Sequence, residues 1–486
     1  MDTHIRIHVR RVCLASAVLG CSVLGCAGFY RQEVPGIEPY LPKPPVRSDT
    51  LLEKGSTPDQ GKIMPESAPR GQPLTLEACV SIALDNNPMQ RAAREGVAAA
   101  KEEAGGARAP YFPEFGINAG YGRWQRHIYL PSGLVPPGTE LPDLVGPTDD
   151  WTAGMRARYT LFDGGERRAQ LRAALAREGM AEEDAAGVRQ EIALIVHKAF
   201  YGLIAAKEAL LVAEKNLERD EVHLRLAKER YAIGIVPKAD VLRTQVEFAD
   251  ARLAKVRAES LVRVAQGNLN TSMGLPVELP VEIGARPQEI TSVDDIRISE
   301  ALDQAVHARP ELKASLQRIA AARHVVDEAK STFWPKVKTE AGYGWRDADF
   351  WPGDEEWLLG VSIDVPVFAG LSRIHRLAAA KALLSREEAE IEQRILCVRE
   401  EVWTAYSSLK ESYEAVQAAK ALTKDAEESH RLANARYEVE AGTVNDLLDA
   451  QTALARAEAA YVEAQWDYHI AQAVYRRAVG NLTIEQ

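Results

Sequence analysis

Cysteine is scarce and scattered: beyond the first 26 residues only Cys79 and Cys397 remain, far apart and with no CxxC spacing. That excludes a disulfide framework and the usual cysteine metal or redox sites. No basic run interleaved with aromatics occurs, and 59 Lys+Arg against 70 Asp+Glu gives a net charge of −11, so nucleic acid is not an expected partner. No HExxH, nucleophile elbow or P-loop is present, and the carboxylates fall on helical charge patterns typical of solvated faces, so neither an enzyme nor a cofactor is expected. After the N-terminal leader there is no run of 18 or more apolar residues, which rules out a helical bilayer span there. What is present is 46% hydrophobic residues, enough for an ordered core.

The N-terminus stands apart. His4, Arg6, His8, Arg10 and Arg11 make a basic start, and residues 12–24 are apolar and small, the pattern of a secretion signal. That stretch falls short of the ~20 residues a bilayer span needs, and it carries Val-Leu-Gly-Cys twice, ending at Cys21 and Cys26. This resembles the lipobox of bacterial lipoproteins, which implies a diacylglycerol thioether on the new terminal cysteine, anchoring at ~0.8 kcal/mol per buried methylene. A plain cleaved signal peptide is the alternative. Cys26 is preferred to Cys21 because cleavage before Cys21 would leave Cys26 a free thiol in an oxidising compartment. Neither Ser22 nor Ala27 is an aspartate, which by the same resemblance permits sorting to the outer membrane. Residues 1–25 are thus expected to be the signal peptide and 26–73, rich in Pro, Gly, Ser and charge, an extended tether.

The body is duplicated. Asn87-Pro88 matches Arg309-Pro310, and residues 113–122 (PEFGINAGYG) match 335–344 (PKVKTEAGYG), at an offset of 222. Trp151, Gly154, Phe162, Gly164, Arg230-Tyr231, Asp240, Gln245 and Gly274 then match Trp357, Gly360, Phe368, Gly370, Arg436-Tyr437, Asp446, Gln451 and Gly480 at 206. The difference, 222 − 206 = 16, is one insertion in the first copy between Gly122 and Trp151. Two repeats, 74–280 and 296–480, follow from this registration.

Within each copy the pattern reads helix, strand, strand, long helix. Leu76, Cys79, Val80, Ala83 and Leu84 recur at helical spacing, as do Ile298, Ala301, Leu302, Ala305 and Val306, and Pro88 and Pro310 interrupt and restart the helix. Period-two alternation follows: Phe115, Ile117, Ala119 and Tyr121 against Gly116, Asn118 and Gly120; Met155, Ala157, Tyr159 and Leu161 against Arg156, Arg158 and Thr160. In the second copy Val337, Thr339, Ala341, Tyr343 and Trp345 oppose Lys338, Glu340 and Gly342, and Val361, Ile363, Val365 and Val367 oppose Ser362, Asp364 and Pro366. Such hairpins lie on a soluble core or form a membrane barrel. Trp124, Trp151, Trp334, Trp345, Trp351 and Trp357, six of eight tryptophans, lie in or beside them, which favours a barrel with aromatic girdles. Four strands cannot close one, since membrane barrels need ~8 or more, so several copies must combine. Long helices are expected over 166–232 and 373–438, each of ~65 residues and therefore ~100 Å, with return helices over 238–273 and 443–479. Leu242, Val246, Ala249, Leu253 and Val256 form a coiled-coil seam on the first return helix; the second carries Leu448, Thr452, Ala455, Ala459 and Val462.

In order and duplication, the Leu-Thr-Leu-Glu-Ala start at Leu74, the Pro-led hairpins, the Gly-Gly and Ala-Gly turns after Phe162 and Phe368, the two Arg-Tyr tips and the Met-Gly and Val-Gly ends resemble the outer membrane efflux protein family, the TolC-like ducts. The resemblance spans about residues 74–480. It implies a mainly α fold with a small β part: a homotrimer, four strands per protomer in a twelve-stranded β-barrel, and an α-helical barrel reaching into the periplasm. It further implies a periplasmic adaptor (membrane fusion) protein, an inner-membrane pump and outer membrane lipids as partners, in the lipid-anchored branch that serves tripartite efflux. By the same resemblance Asp446 and Asp449 match the periplasmic gate, Asp240 and Tyr437 a closed-state tip lock, and Arg230, Tyr231, Gly234, Arg436 and Gly442 the adaptor-contacting tips. The basic residue that reinforces the lock elsewhere in the family is Gly442 here, implying a weaker lock. Two carboxylates at i, i+3 share a helix face, but Thr443 with Asp446 also reads as a capping box, and the tip tyrosines as caps on the coiled-coil core. Type I protein secretion is the nearest alternative function, and a periplasmic coiled-coil protein that forms no channel is the more distant one.

Overall fold

The computed structural model describes residues 73–123, 149–284, 290–351, 353–439 and 441–482. The signal peptide with Cys21 and Cys26, the tether through residue 72, Trp124 and most of the insertion in the first hairpin lie outside these residues.

Each copy begins with two short helices, α1 (Leu76–Asn86) and α2 (Pro88–Gly106) in the first, α5 (Ile298–Ala308) and α6 (Pro310–Ser331) in the second. Thr75 caps α1 by accepting from the Ala78 N–H. Pro88 and Pro310 open α2 and α6 at the first helical position, where the missing N–H costs nothing. The break is bolted to the end of the return helix in each copy. Gly274 and Gly480 both hold positive φ, and a Cβ there would lie 2.8 Å from the Asn86 carbonyl oxygen or from Ala308 Cβ, so only glycine allows the approach. Asn87 adds a buried bond to the Ser272 carbonyl at 2.9 Å. In the second copy Arg309 takes that place, nearly fully buried and paired with Glu401 and Glu311.

The strands β1 (Glu114–Arg123), β2 (Asp149–Phe162), β3 (Lys336–Asp347) and β4 (Asp354–Asp364) make one antiparallel sheet in sequence order. Its register sets Tyr121 against Trp151, Met155 against Tyr343 and Tyr343 against Trp357, so the alternating sets expected from the sequence share one face. That face is uncovered: Phe115, Ile117 (85% exposed), Met155, Trp357 (73% exposed), Leu359, Val361 and Ile363 all stand outward. β4 ends two residues before Pro366, and the expected continuation through Val365 and Val367 lies outside the ladder, where Pro366 has no N–H to donate. Among the described residues neither β1 nor β4 has a second neighbouring strand.

The long helices α3 (Glu166–Ala232) and α7 (Ser372–Glu438) have 67 residues each and return as α4 (Lys238–Ser272) and α8 (Val444–Val479). The main apolar core lies where α1 packs on α3 beside the end of α4 and the return helix α8: Cys79, Ile192, Val196, Leu203, Leu269, Met273 and Trp466 are buried there. Burial pushes the Cys79 thiol up to about 12, so it serves as a small apolar group. The α4 seam behaves differently from α8. Leu242, Val246, Leu253 and Val256 are all exposed, so among the described residues this coiled-coil stripe is left uncovered, whereas Leu447, Leu448, Leu454 and Ala457 of α8 are buried.

The turn from β2 into α3 is held by a buried ion pair. Asp163 accepts from the N–H groups of Gly165 (2.9 Å) and Arg167 (3.1 Å) and from Arg167 Nε at 2.7 Å. Arg167 also donates to the Pro110 carbonyl and lies over the rings of Tyr111 and Tyr159. In the second copy Ala369 replaces the aspartate, and Arg373 keeps only a bond to the Pro366 carbonyl at 2.7 Å. Arg167→Ala would strand a buried carboxylate, at a cost of about 3 kcal/mol. Thermal unfolding in detergent, followed by circular dichroism, should therefore show a larger fall in midpoint for Arg167→Ala than for Arg373→Ala; equal falls would contradict the assignment.

Candidate channel gate

The far ends of the α3–α4 and α7–α8 hairpins carry the residues singled out in the sequence. At the start of α8, Thr443 and Asp446 complete a capping box: Thr443 Oγ1 accepts from the Asp446 N–H (3.2 Å) and donates to Asp446 Oδ2 (2.8 Å), which also accepts from the Thr443 N–H (3.1 Å). The Thr443 side-chain bond, with its backbone bond, holds the Asp446 carboxyl below its ordinary range. Asp449 stands exposed one turn further on the same helix, and nothing in the capping box involves it. Both carboxylates lie on the exposed part of the tip.

Among the described residues of the single protomer no hydrogen bond joins Asp240 to the Tyr437 hydroxyl. The Tyr437 ring is buried (4% exposed) with Val444, Leu447 and Leu448, and its hydroxyl has no hydrogen-bond partner among the described residues. Arg230 makes the tie between tips instead. Its guanidinium lies 4.6 Å over the Tyr437 ring and donates to the Tyr437 and Glu438 carbonyls at 3.0 and 3.1 Å. A cation from the first copy thus caps the C-terminal carbonyls of α7 and stacks on its last aromatic ring. Arg243 adds a bond to Asn445. Arg230 is thus half-exposed and bonded to the second copy, while Tyr231, Gly234 and Arg436 are exposed. The two tip tyrosines differ: Tyr437 caps the core, as the apolar alternative expected, and Tyr231 does not. A side chain at Gly442 would crowd Arg436 Cβ at 3.2 Å.

Above the tip the two copies meet through a buried polar layer that no local pattern signals. Gln451 of α8 donates to Asp220 of α3, Arg219 pairs with Glu458, and the rings of His223 and His430 lie 6.2 Å apart. Among the described residues His223 Nδ1 and His430 Nε2 are buried without hydrogen-bond partners, and burial lowers the pKa of both rings. The one available clue was the pairing of Gln245 with Gln451 in the repeat; Gln451 is buried and Gln245 exposed. Among the described residues no cluster of His, Cys, Asp or Glu is arranged to hold a metal ion.

Residues 79–275 and 301–481 match the family model described as outer membrane efflux protein. The chain belongs to the outer membrane efflux protein family. It is similar to the protein CyaE of Bordetella pertussis, 28% identical over 392 residues and 80% of each chain. It is also similar to the pyoverdine export outer membrane protein OpmQ of Pseudomonas aeruginosa, 26% identical over 402 residues, 80% of this chain and 81% of the relative. Among solved structures, the outer-membrane channel OprN matches with a TM-score of 0.72 at 24% identity, over 84% of this chain and 90% of that one, which shows the fold. This is the channel fold expected from the sequence, mainly helical with four strands per chain, and members of the outer membrane efflux protein family are ducts, not enzymes.

Burial pushes Asp220 up from 3.8 to about 6, the Gln451 bond opposing this and the nearby Glu247 and Asp250 adding to it. The folded state therefore holds the proton to higher pH than the unfolded state. The resulting penalty is absent below 3.8, grows as pH rises and is complete above about 6, amounting to roughly 3 kcal/mol at 1.36 kcal/mol per pH unit. Asp220→Asn keeps an amide for Gln451 and should raise the thermal midpoint at pH 7.5, with the difference from wild type vanishing near pH 4. A lower midpoint at pH 7.5 would show that the carboxylate stabilises the layer.

Proposed function

We propose that the chain is the outer membrane duct of a tripartite efflux system, a passive homotrimer that carries cargo from an inner-membrane pump and its periplasmic adaptor across the outer membrane. The observation that supports this best is the sheet: one face apolar and uncovered, both edges unpaired, on a chain whose family consists of channels. Three such sheets give twelve strands, above the ~8 a membrane barrel needs. The α4 seam, apolar and exposed, then packs against the next protomer's helices in the tunnel wall.

In this reading residues 1–25 are removed, a diacylglycerol on Cys26 (or Cys21) anchors the chain in the outer membrane, 26–73 tether it, and the repeats 74–280 and 296–480 each supply half of a protomer's wall. Tyr231, Gly234, Arg436 and Gly442 meet the adaptor at the periplasmic tip. Asp446 and Asp449 form two stacked rings of three carboxylates, a field that attracts cations at the constriction. The cap on Asp446 occupies one of its oxygens, so Asp449 supplies the less encumbered ring.

Single-channel recording in planar bilayers with Co²⁺ on the periplasmic side tests the gate. Wild-type current should be blocked, and Asp449→Ala should lose at least about tenfold in Co²⁺ sensitivity, the loss of roughly 1.4 kcal/mol of cation binding. Unchanged block in the variant would contradict the carboxylate ring, and a wild-type protein that never conducts would contradict the duct.

A further inference from the structure

The second face of the sheet carries charge in a particular order. At its outer end stand Asp354 and Glu356, with Arg346 held by Asp150 at 2.7 and 2.8 Å. The middle rungs are mostly bare: Gly116, Gly120, Gly154, Gly342, Gly344 and Gly360 all lie on this face. Into that clearing project two arginines. Arg156 sits between Gly116 and Gly342 in the ladder, and Arg158, one rung lower, between Glu114 and Glu340. Both guanidiniums turn to the same carboxylate, with Glu340 at 3.1 Å from Arg156 Nε and 3.4 Å from Arg158 Nε. Lys338, exposed, lies on the next rung. Three cations against Glu114 and Glu340 leave 3 − 2 = +1 per protomer. Carboxylates return at the base, where Asp364 stands opposite Lys336 and Lys336 pairs with Glu166.

We propose that Arg156 and Arg158 form a basic belt inside the assembled barrel that favours anions, the arginines acting as specificity-determining residues for small anionic cargo. This rests on the duct reading, which turns the apolar face to lipid and this face to the lumen. Three considerations support it. The two arginines share one carboxylate and so keep a net positive charge. Glycines on both adjacent strands leave no side chain directly beside Arg156, the nearest on its rung being Leu358 two strands away, so solutes reach it. A planar guanidinium fork is matched to carboxylate and phosphate oxygens and stays charged at any working pH. The belt belongs to one copy only, for the second copy carries Ser362 and Asp364 at the equivalent positions. A solute would thus pass acidic rings at the periplasmic gate, a positive belt in the membrane and an acidic outer rim.

The reversal potential of the full-length protein in planar bilayers under a KCl gradient tests the belt. Arg156→Ser with Arg158→Ser, and separately Glu340→Gln, are compared in the wild type and in an Asp449→Ala background that removes tip carboxylates. The double serine variant should lower the chloride-to-potassium permeability ratio by roughly two-fold at low salt, and Glu340→Gln should raise it. Both shifts should shrink in 1 M KCl, where the screening length is ~3 Å. Should the serine variant fail to insert, Glu340→Gln decides alone. An unchanged ratio in both backgrounds would overturn the belt and leave the channel standing; absence of any conductance in the wild type would overturn both.

Discussion

Backbone hydrogen bonding in a medium without water is the constraint on which this molecule depends. A strand edge costs several kcal/mol per unpaired group in hydrocarbon, and the sheet here ends in two such edges, β1 and β4, with an apolar face between them. Among the described residues neither edge is blunted by a bulge, the charges of β4 are gathered at its ends, and the bulge that does occur lies inside the sheet, between β2 and β3. Pairing with further copies satisfies both edges at once. The helices obey a matching logic, since the α4 stripe is also left uncovered among the described residues.

The duplication supplies two near-equivalent units that differ where their surroundings differ. The first copy fixes its strand-to-helix turn with the Asp163–Arg167 pair, and the second makes do with Arg373 and a carbonyl. The return helix of the second copy is buried along Leu447, Leu454 and Ala457, while that of the first turns its leucines and valines outward. At the tips Tyr437 is buried under Arg230 and Tyr231 is exposed. The two copies thus differ in which return helix and which tip tyrosine is covered within the chain, a difference that a single unit repeated without change could not provide.

Much of this was legible in the residues. Period-two alternation from Phe115 to Tyr121 and from Val337 to Trp345 gave the sheet faces, because a pleated strand leaves no freedom about which side chain faces which way. The long helices begin and end where glycine turns and the Arg-Tyr tips placed them, within a residue of expectation. What the sequence did not reveal are pairings between distant positions. Nothing near Asp220 announces Gln451, 231 residues away, and nothing near Arg230 announces the α7 carbonyls that it caps. The contact that Arg230 makes across the tips belongs to the same class: a resemblance transfers residue types, while a side chain's partner on another hairpin depends on packing. The α4 seam was recognised as a coiled-coil stripe, but spacing alone cannot say whether its partner lies in the same chain.

The central claim is that the sheet is completed only by other copies. Native mass spectrometry of the full-length protein released from detergent micelles measures this directly. The account predicts a particle of three chains that survives dilution and dissociates only on heating. A stable, folded particle of one chain would mean that β1 and β4 are satisfied within the protomer or exposed to water, and would contradict it.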